Sequence, residues 1–385
     1  MEKRRIVLLG ATGFTGRRVL GELLARGELP TLVGRSRDRL LALAGGLEAD
    51  LPVEQVDVSS HTDLARVLGP NDVVVSTVGP FMKLGVETVT AAAHAGAHYF
   101  DSAGEATFVR RVFGLDSVAA QRGATLVPAF GYDYVPGNLA GALALQKAGD
   151  AARRVEVAYF MTRSGRGDEL KYRSTLSDLF RLTTGGTRTT LVTGSVEDAL
   201  AFRSPRPGSP AHLTEERAGK RVRTFRYAGV QRSAMSVGGS EHLGLPEAFP
   251  HLEQVDVFLG WFGRWTRPIQ FVSTLAAPFS RLVDTKAIME RLSQRLPGAA
   301  REPDSDGRSL IIAVARDGAG RPLATTALTG PDPYTMTGSL LAWGATRAAN
   351  PEAGFTPGAH GPVVAFGLDA LALGAAEAGI HQAAE

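Results

Sequence analysis

The stretch Arg5-Ile-Val-Leu-Leu-Gly10-Ala-Thr-Gly13-Phe-Thr-Gly16 decides the fold, because it joins an apolar strand, a glycine turn and the start of a helix. The helical pattern then continues to Arg26. Gly10 lets the chain leave the strand in a tight turn, Gly13 leaves room for a pyrophosphate, and Gly16 lets the helix pack closely on the strand. The first turn of such a helix points unpaired N–H groups at phosphates. The stretch therefore predicts a dinucleotide site, with an ordinary glycine-rich turn as the alternative.

The end of the next strand bears on which dinucleotide is bound. A strand is predicted over 31–34, and Arg35, Ser36 and Arg37 follow it without a carboxylate. A site for NAD carries an acidic residue here for the ribose hydroxyls, whereas arginine offers a planar fork that suits a 2′-phosphate. The sequence therefore predicts NADPH as the cofactor. The alternative is a solvated basic loop at the start of a helix.

Composition limits the class of protein. The 385 residues are 44% hydrophobic and 21% charged, which is typical of a globular protein large enough for two domains. The net charge is +3, but lysines and arginines are scattered, so nucleic acid is not a predicted partner. The absence of cysteine excludes disulfides, thiol nucleophiles and cysteine metal sites, and no metal is predicted. No signal peptide is visible before the first strand, which predicts a cytoplasmic location.

Strands and helices alternate through the first third of the chain, which predicts a parallel sheet with helices on both faces. In such a sheet the ligand lies at the carboxyl ends of the strands. After Pro136 the pattern changes to strands with a hairpin signal at Asp317-Gly-Ala-Gly320, which predicts a mixed sheet. The predicted elements include strands at 53–58, 73–77, 99–101, 125–128, 155–160, 221–227, 310–315 and 321–328, one helix over 105–122, and loops at 185–208 and 297–309.

The predicted fold class is therefore α/β, a doubly wound Rossmann sheet followed by a mixed α+β substrate or dimerisation domain. The predicted boundaries are 1–135 for the NADP-binding domain, 136–330 for the second domain, and 331–385 for C-terminal helices.

Four short stretches fall at predicted strand ends on the ligand side of the sheet. Asp57 and Val58 flank the position of the adenine, and a glycine in 76–81 lets the backbone approach the nicotinamide ribose. The stretch 99–105 places Asp101 and Glu105 either on the substrate or in the structural role of a helix cap, and capping is favoured for Glu105. The stretch 129–137 contains two tyrosines and an aspartate, with turn chemistry as the alternative explanation.

These motifs together resemble saccharopine dehydrogenase-like oxidoreductases, which include saccharopine reductases and trans-acting enoyl reductases. The resemblance covers both ends of the chain and is weakest over 160–310. It implies a Rossmann domain completed by C-terminal helices, with an inserted substrate domain. The cofactor contacts it implies are Gly10, Thr12, Gly13, Phe14, Thr15, Gly16, Arg35, Gly79 and Pro80. From their positions at strand ends we add Ser36, Arg37, Asp57, Val58, Thr77, Val78, Phe81, Ser102 and Gly104.

A reductase of this kind must receive a hydride and supply a proton. The predicted catalytic residues are Tyr132, Asp133, His242 and Tyr172. His242 stands beside Glu241 and belongs to the residue type that titrates near neutrality, although a lone histidine is more often structural. The pattern Tyr-x-x-x-Lys of short-chain dehydrogenases is absent after the nucleotide domain.

The segment 255–283 is rich in aromatic residues, and its arginines leave no uncharged stretch long enough to span a membrane. We interpret it either as an apolar wall of the substrate pocket or as a buried helix pair or dimer interface, and rank peripheral membrane contact lower. The sequence thus predicts an NADPH-dependent enoyl (C=C) reductase acting on a largely apolar small molecule, free or bound to a carrier protein, as a homodimer. An imine or opine-type (C=N) reductase and a non-catalytic NADPH-binding protein are the alternatives.

Overall fold

The computed structural model describes residues 3–47, 49–163, 199–204, 211–261, 266–267 and 307–383. The chain divides into two compact units. The first unit takes Met1–Ala103, Thr107–Val135 and Tyr334–Ala378, and the second takes Gly104–Ala106, Pro136–Pro333 and Gly379–Glu385.

The first unit is built on a seven-stranded sheet in the order β15-β6-β5-β4-β1-β2-β3, and every neighbouring pair in it is parallel. The predicted doubly wound Rossmann sheet is confirmed. The seventh strand was missed because two residues are too few to show a strand period. The strands are β1 Ile6–Leu9, β2 Thr31–Gly34, β3 Val53–Gln55, β4 Val73–Ser76, β5 His98–Asp101, β6 Thr125–Val127 and β15 Gly358–Ala359.

Helices follow the strands of this sheet, and several are ended by specific caps. Ser36 and Ser60 accept backbone N–H groups at the starts of two of them, and Gly96 and Gly123 end two others with a left-handed residue. A short π-helix, Phe81–Gly85, precedes α4. The helices are α1 Phe14–Ala25, α2 Arg37–Gly45, α3 His61–Val67, α4 Val86–Ala95, α5 Ala106–Phe113, α6 Asp116–Arg122, α9 Pro333–Ala349, α10 Pro362–Phe366 and α11 Leu368–Glu377.

Two predicted elements of this unit were wrong in extent. The helix predicted over 105–122 is two helices, because Gly114, a poor helix former, interrupts the run between α5 and α6. The strand predicted over 53–58 ends at Gln55. Beyond it the Asp57 carboxylate accepts the backbone N–H of Ser59, which folds the chain into a turn.

The core of the first unit explains why its strands are so apolar. All four residues of β1, β4 and β5 are buried, as expected for parallel strands that are covered on both faces. The C-terminal helices contribute an aromatic cluster to the same unit, in which Phe130 stacks on Trp343 at 6.3 Å and meets Phe366 at 5.0 Å.

The second unit holds a nine-stranded sheet whose main path runs β10-β11-β12-β7-β13-β14-β16, with β8 on β12 and β9 on β8. Only the β7–β12 pair of this sheet is parallel within the described ranges, so the predicted mixed sheet is confirmed. The strands are β7 Arg154–Arg163, β8 Ala199–Arg203, β9 His212–Glu216, β10 Val222–Tyr227, β11 Val230–Val237, β12 Gln254–Leu259, β13 Gly307–Arg316, β14 Pro322–Gly330 and β16 His381–Gln382; the helices are α7 Val135–Ala148, α8 Glu241–Ala248 and a 3₁₀ turn Gly149–Ala151.

Three predictions in this unit need correction or lie outside the description. Residues 199–203, predicted as loop, form β8, and residues 307–309 extend β13 because they pair in register with the end of β7. The apolar segment 255–283 begins as β12, a core strand between β7 and β11. The aromatic residues Phe262, Trp265, Phe271 and Phe279 of that segment lie outside the described residues.

The carboxylate of Asp101 fastens the end of β5 to the loop after β6. Its Oδ1 accepts the backbone N–H of Ala103 and that of Ala129, each at 2.8 Å, and its carbonyl accepts the N–H of Phe130 at 2.7 Å. Ala129 sits in the left-handed region at φ 56°. A non-glycine residue is strained there and persists only where its surroundings hold it. Asp101 is fully buried, which favours the structural role over contact with a substrate.

We expect Asp101→Ala to lower the free energy of unfolding by about 2–4 kcal/mol, because two buried backbone N–H groups lose the oxygen that accepts both of them. Asp101→Asn is the matched control, since its amide oxygen can still accept both hydrogen bonds, and it should lose less than half as much. Chemical denaturation of the full chain measures both values. Equal losses in the two variants would show that the bonds do not hold the loop.

Candidate functional site

The glycine turn after β1 has the geometry of a dinucleotide-binding turn. Gly10 has φ +87°, and an added Cβ would lie 2.6 Å from Thr77 Oγ1. At Gly16 an added Cβ would overlap the carbonyl of Gly10, so the start of α1 lies directly against the turn. The N–H of Gly13 donates to the carbonyl of Gly10 at 2.9 Å. The turn therefore leaves no room for a side chain at Gly10 or at Gly16.

The start of α1 is open to a ligand. Gly13 is its exposed N-cap residue, no side chain caps the helix, and its first turn carries no acidic residue. The first N–H groups of this 12-residue helix thus lack an internal anion. An anion is favoured at such a position by the N–H groups and by the helix dipole. The residues present therefore fit the pyrophosphate of a dinucleotide, with Thr12, Phe14 and Thr15 partly buried around it.

The first residues of helix α9 contact the start of α1, next to this turn. The ring of Phe14 meets that of Tyr334 edge-on at 5.1 Å, and the Arg18 guanidinium lies 4.9 Å from the Phe14 ring centre. Arg18 also donates to Thr335 Oγ1 at 3.3 Å. The Phe14 side chain therefore supports the turn by packing. Sequence reasoning missed Tyr334, because its distance along the chain gives no signal of this contact.

An open cavity of about 500 Å³ lies beside the ends of β2 and β3. In a Rossmann sheet this position corresponds to the adenosine end of the dinucleotide. Of the predicted residues, Arg35 and Asp57 line the cavity. Sequence reasoning missed three others, Gln55, Asp63 and Arg66.

The remaining residues predicted for the adenosine end have other roles. Ser36 caps α2 by accepting the N–H of Arg39 at 3.4 Å, and Arg37 donates to the carbonyl of Val53 at 3.4 Å. Val58 is buried in the core of the first unit. None of these three side chains lines the cavity.

The nicotinamide end is predicted at the carboxyl ends of β4 and β5. Thr77 donates through Oγ1 to the carbonyl of Leu9 at 3.0 Å, which ties the end of β4 to that of β1. Val78 packs partly against the core, and Gly79 is exposed ahead of a cis bond to Pro80. These positions leave backbone accessible beside the glycine turn.

Three other residues predicted for this end lie in different surroundings. The ring of Phe81 is buried against Phe108 at 5.4 Å, so its side chain belongs to the core and not to a cofactor cleft. Ser102 is partly buried and donates its N–H to the carbonyl of Ser76 at 3.3 Å, while Gly104 groups with the second unit.

The loop Gly131–Tyr134 follows β6 at the same edge of the sheet. The N–H of Tyr132 donates to Thr337 Oγ1 at 3.0 Å, and that of Tyr134 donates to the carbonyl of Ala129 at 2.7 Å. Both tyrosine residues are buried. Asp133 keeps partial exposure, yet loss of surrounding water raises its pKa to about 7. The loop thus holds a carboxyl group that exchanges its proton near neutral pH.

His242 has surroundings that favour a structural role. It lies in the first turn of α8 in the second unit, and its Nδ1 is 3.2 Å from the N–H of Gly239. Burial lowers its pKa to about 4, so the ring is neutral at neutral pH. Beside it, the Tyr159 hydroxyl donates to Glu241 Oε1 at 2.5 Å in a buried pair. Tyr172, the fourth predicted catalytic residue, lies outside the described residues.

Two kinds of feature, a membrane-spanning helix and a metal-binding cluster, are absent from the described part of the chain. No helix there combines the length and the apolar character that crossing a bilayer requires. No three His, Cys, Asp or Glu side chains of those ranges lie together in a way that could hold a metal ion.

The glycine turn, the uncapped helix and strands β1 to β6 all fall within residues 6–127, which match the family model of the saccharopine dehydrogenase NADP binding domain. This segment is similar to that domain family. The family confirms the recognition made from the motifs, and with it NADP as the cofactor type of the domain.

Curated relatives that match part of this chain carry the name of a reductase. A 141-residue stretch is 40% identical to a trans-acting enoyl reductase of Mycobacterium leprae, covering 35% of this chain and 34% of the relative. A putative trans-acting enoyl reductase of Mycobacterium tuberculosis is also 40% identical over 141 residues, with 35% and 33% covered. The matched stretch thus spans about a third of the length of these relatives.

A solved structure shows the same fold over the whole chain. Apo saccharopine dehydrogenase (L-Glu forming) from Saccharomyces cerevisiae aligns with a TM-score of 0.59 over 99% of this chain and 100% of that one, at 14% identity. The likeness extends the saccharopine dehydrogenase fold to both units.

We expect Gly13→Val to weaken NADPH binding on the order of a hundredfold or more, because the new side chain stands at the open start of α1 where the pyrophosphate approaches. The fold should persist, since an added Cβ meets one atom, the carbonyl oxygen of Gly10 at 3.2 Å, and a shift of a few tenths of an ångström relieves that contact. Gly21→Val is the matched control, because Gly21 lies in the same helix with nothing within 4 Å of an added Cβ. Calorimetric titration measures both, and unchanged affinity in a folded Gly13→Val variant would contradict the assignment.

Proposed function

We propose that this protein is an NADPH-dependent reductase that adds hydride and a proton across the polarised C=C bond of an enoyl substrate. The observation that carries the choice of substrate is the 40% identity to trans-acting enoyl reductases. The glycine turn, the uncapped start of α1 and the NADP-binding family support the cofactor. A largely apolar acyl chain, free or carrier-bound, and a homodimer are further parts of the proposal.

We assign each part of the cofactor to a different segment of the first unit. The N–H groups at the start of α1 hold the pyrophosphate, Arg35 selects the 2′-phosphate, and the backbone of 77–80 receives the nicotinamide ribose. When bound, NADPH supplies the hydride. The protein must then provide a proton for the second carbon, and it must do so beside the carboxyl ends of the strands.

Asp133 is the proposed proton donor. Its raised pKa keeps roughly half of the carboxyl groups protonated at neutral pH, which suits a general acid. Transfer leaves the Asp133 carboxylate, which then recovers a proton from solvent. The hydrogen bonds of Tyr132 and Tyr134 fix the backbone on both sides of Asp133, so they act as positioning contacts.

The experiment that tests the reaction supplies purified full-length chain with NADPH and two substrate sets. One set is 2-enoyl thioesters of increasing chain length, and the other pairs 2-oxo acids with amines. We expect NADPH oxidation with the enoyl set, rising with chain length, and deuterium from labelled NADPH at the β-carbon of the product. Oxidation with the amine set alone would favour the imine reductase. Binding of NADPH without turnover of either set would favour the non-catalytic alternative.

If Asp133 is the proton donor, we predict that kcat/KM falls as the pH rises above its pKa of about 7. The required form is the protonated acid, so kcat/KM should be constant below pH 7 and fall tenfold per pH unit above it. Asp133→Asn should lower kcat by roughly 10²–10⁴-fold and remove this inflection. Asp133→Glu is the conservative control and should retain a falling limb.

A second readout separates this role from a purely structural one. Folding raises the pKa of Asp133 from 3.8 to about 7, so the folded state keeps a proton that the unfolded chain releases. This group therefore makes the protein less stable as pH rises from about 4 to 7. Asp133→Asn should remove that loss and unfold at a higher temperature than the native chain at pH 8. Full activity in the variant, with the inflection kept, would exclude Asp133 as the donor.

A further inference from the structure

The cavity at the adenosine end carries more charge than the sequence motif suggested. Arg35 follows β2, and Gln55 is the last residue of β3. The other lining residues are Asp57 in the next turn and Asp63 and Arg66 on α3. Gln55 donates through Nε2 to the carbonyl of Arg35 at 3.1 Å, which holds the Arg35 backbone beside β3. The cavity therefore contains two guanidinium groups and two carboxylates.

Arg35 alone makes a weak site for a phosphate. Asp57 Oδ1 accepts the hydroxyl of Ser59 at 2.7 Å and its backbone N–H at 3.0 Å. These hydrogen bonds, with a smaller contribution from the charge of Arg35, lower the pKa of Asp57. Asp57 thus stays ionised at neutral pH, and its negative charge offsets that of Arg35 across the same cavity.

Arg66 has the position and the freedom to restore the positive charge. Its Nη2 lies 3.9 Å from Asp63 Oδ1, beyond hydrogen-bond distance, and 69% of its side chain is exposed. An exposed ion pair of this length contributes little to stability. The guanidinium can therefore leave Asp63 for a stronger anion at small cost. A phosphate is such an anion, because arginine binds it through two parallel hydrogen bonds.

We infer that Arg66 is a second determinant of NADP preference and binds the 2′-phosphate together with Arg35. The inference rests on the proposed NADPH cofactor and adds a residue from α3 that no motif at the end of β2 contains. Both arginines are needed to bind the phosphate, since the negative charge of the ionised Asp57 offsets the positive charge of one of them. Specificity for the phosphorylated ribose is then shared between two separate elements of the first unit.

Binding titrations with the full chain test the inference without turnover. The probes are NADPH, NADH and adenosine 2′,5′-bisphosphate, the last of which carries the phosphate without the nicotinamide. Arg66→Gln should weaken NADPH and the bisphosphate about tenfold, the loss expected for one charge-assisted contact, and should change NADH by less than about twofold. Arg66→Lys should recover part of the loss, because it keeps the charge but not the fork.

Three further variants make the outcome decisive. Arg39→Gln is the matched control, because it removes an exposed cation of α2 that does not line the cavity, and it should change affinity by less than about twofold. Arg35→Gln is the reference and should weaken NADPH at least as much as Arg66→Gln. Asp63→Asn should strengthen NADPH binding, since it removes the group that competes for Arg66.

The results separate failure of this inference from failure of the cofactor assignment. If Arg35→Gln weakens NADPH and Arg66→Gln does not, the second determinant is wrong and the NADPH site stands. If Arg66→Gln weakens NADH as much as NADPH, Arg66 acts on the shared part of the dinucleotide, and the inference is likewise overturned. If the native chain binds none of the three probes, the proposed cofactor itself is wrong.

Discussion

The paired hydrogen bonds of the Asp101 carboxylate are the constraint on which the reactive edge of the first unit depends. One buried oxygen satisfies the N–H groups of Ala103 and Ala129, and thereby joins the end of β5 to the loop after β6. The left-handed Ala129 begins the turn that carries Asp133. The chemistry proposed for Asp133 therefore depends on a second, buried aspartate that holds the loop in place.

The proposed cofactor site at the same sheet combines two kinds of contact, one made by backbone and one made by side chains. The proposed pyrophosphate site is made of backbone, because Gly10 and Gly16 have no room for a side chain and so bring the start of α1 close. The proposed ribose site is made of side chains, and there opposite charges lie together in one open cavity. A backbone site suits the part that all dinucleotides share. A side-chain site suits the part that differs between them, since a few substitutions can alter it.

The glycine turn could be predicted from sequence because its requirements are local: each glycine meets atoms of the same turn or of the adjacent strand end. Arg35 could be predicted for the same reason. Arg66 could not, since nothing in its sequence indicates that α3 turns this residue toward the end of β2. The interest of His242 followed from the intrinsic pKa of histidine, and Asp133 was predicted beside it without a pKa argument. Burial lowers the pKa of the histidine to about 4 and raises that of the aspartate to about 7.

The first unit is discontinuous in sequence, so its segments are synthesised at different times. Synthesis delivers β1 to β6 before most of the second unit, and α9, β15 and Phe366 after it. Until those later residues are made, the first sheet lacks its edge strand, and Phe130 has Phe100 as a ring partner but lacks Trp343 and Phe366. We expect the incomplete first unit to expose apolar surface during that interval, which is the kind of surface that chaperones shield.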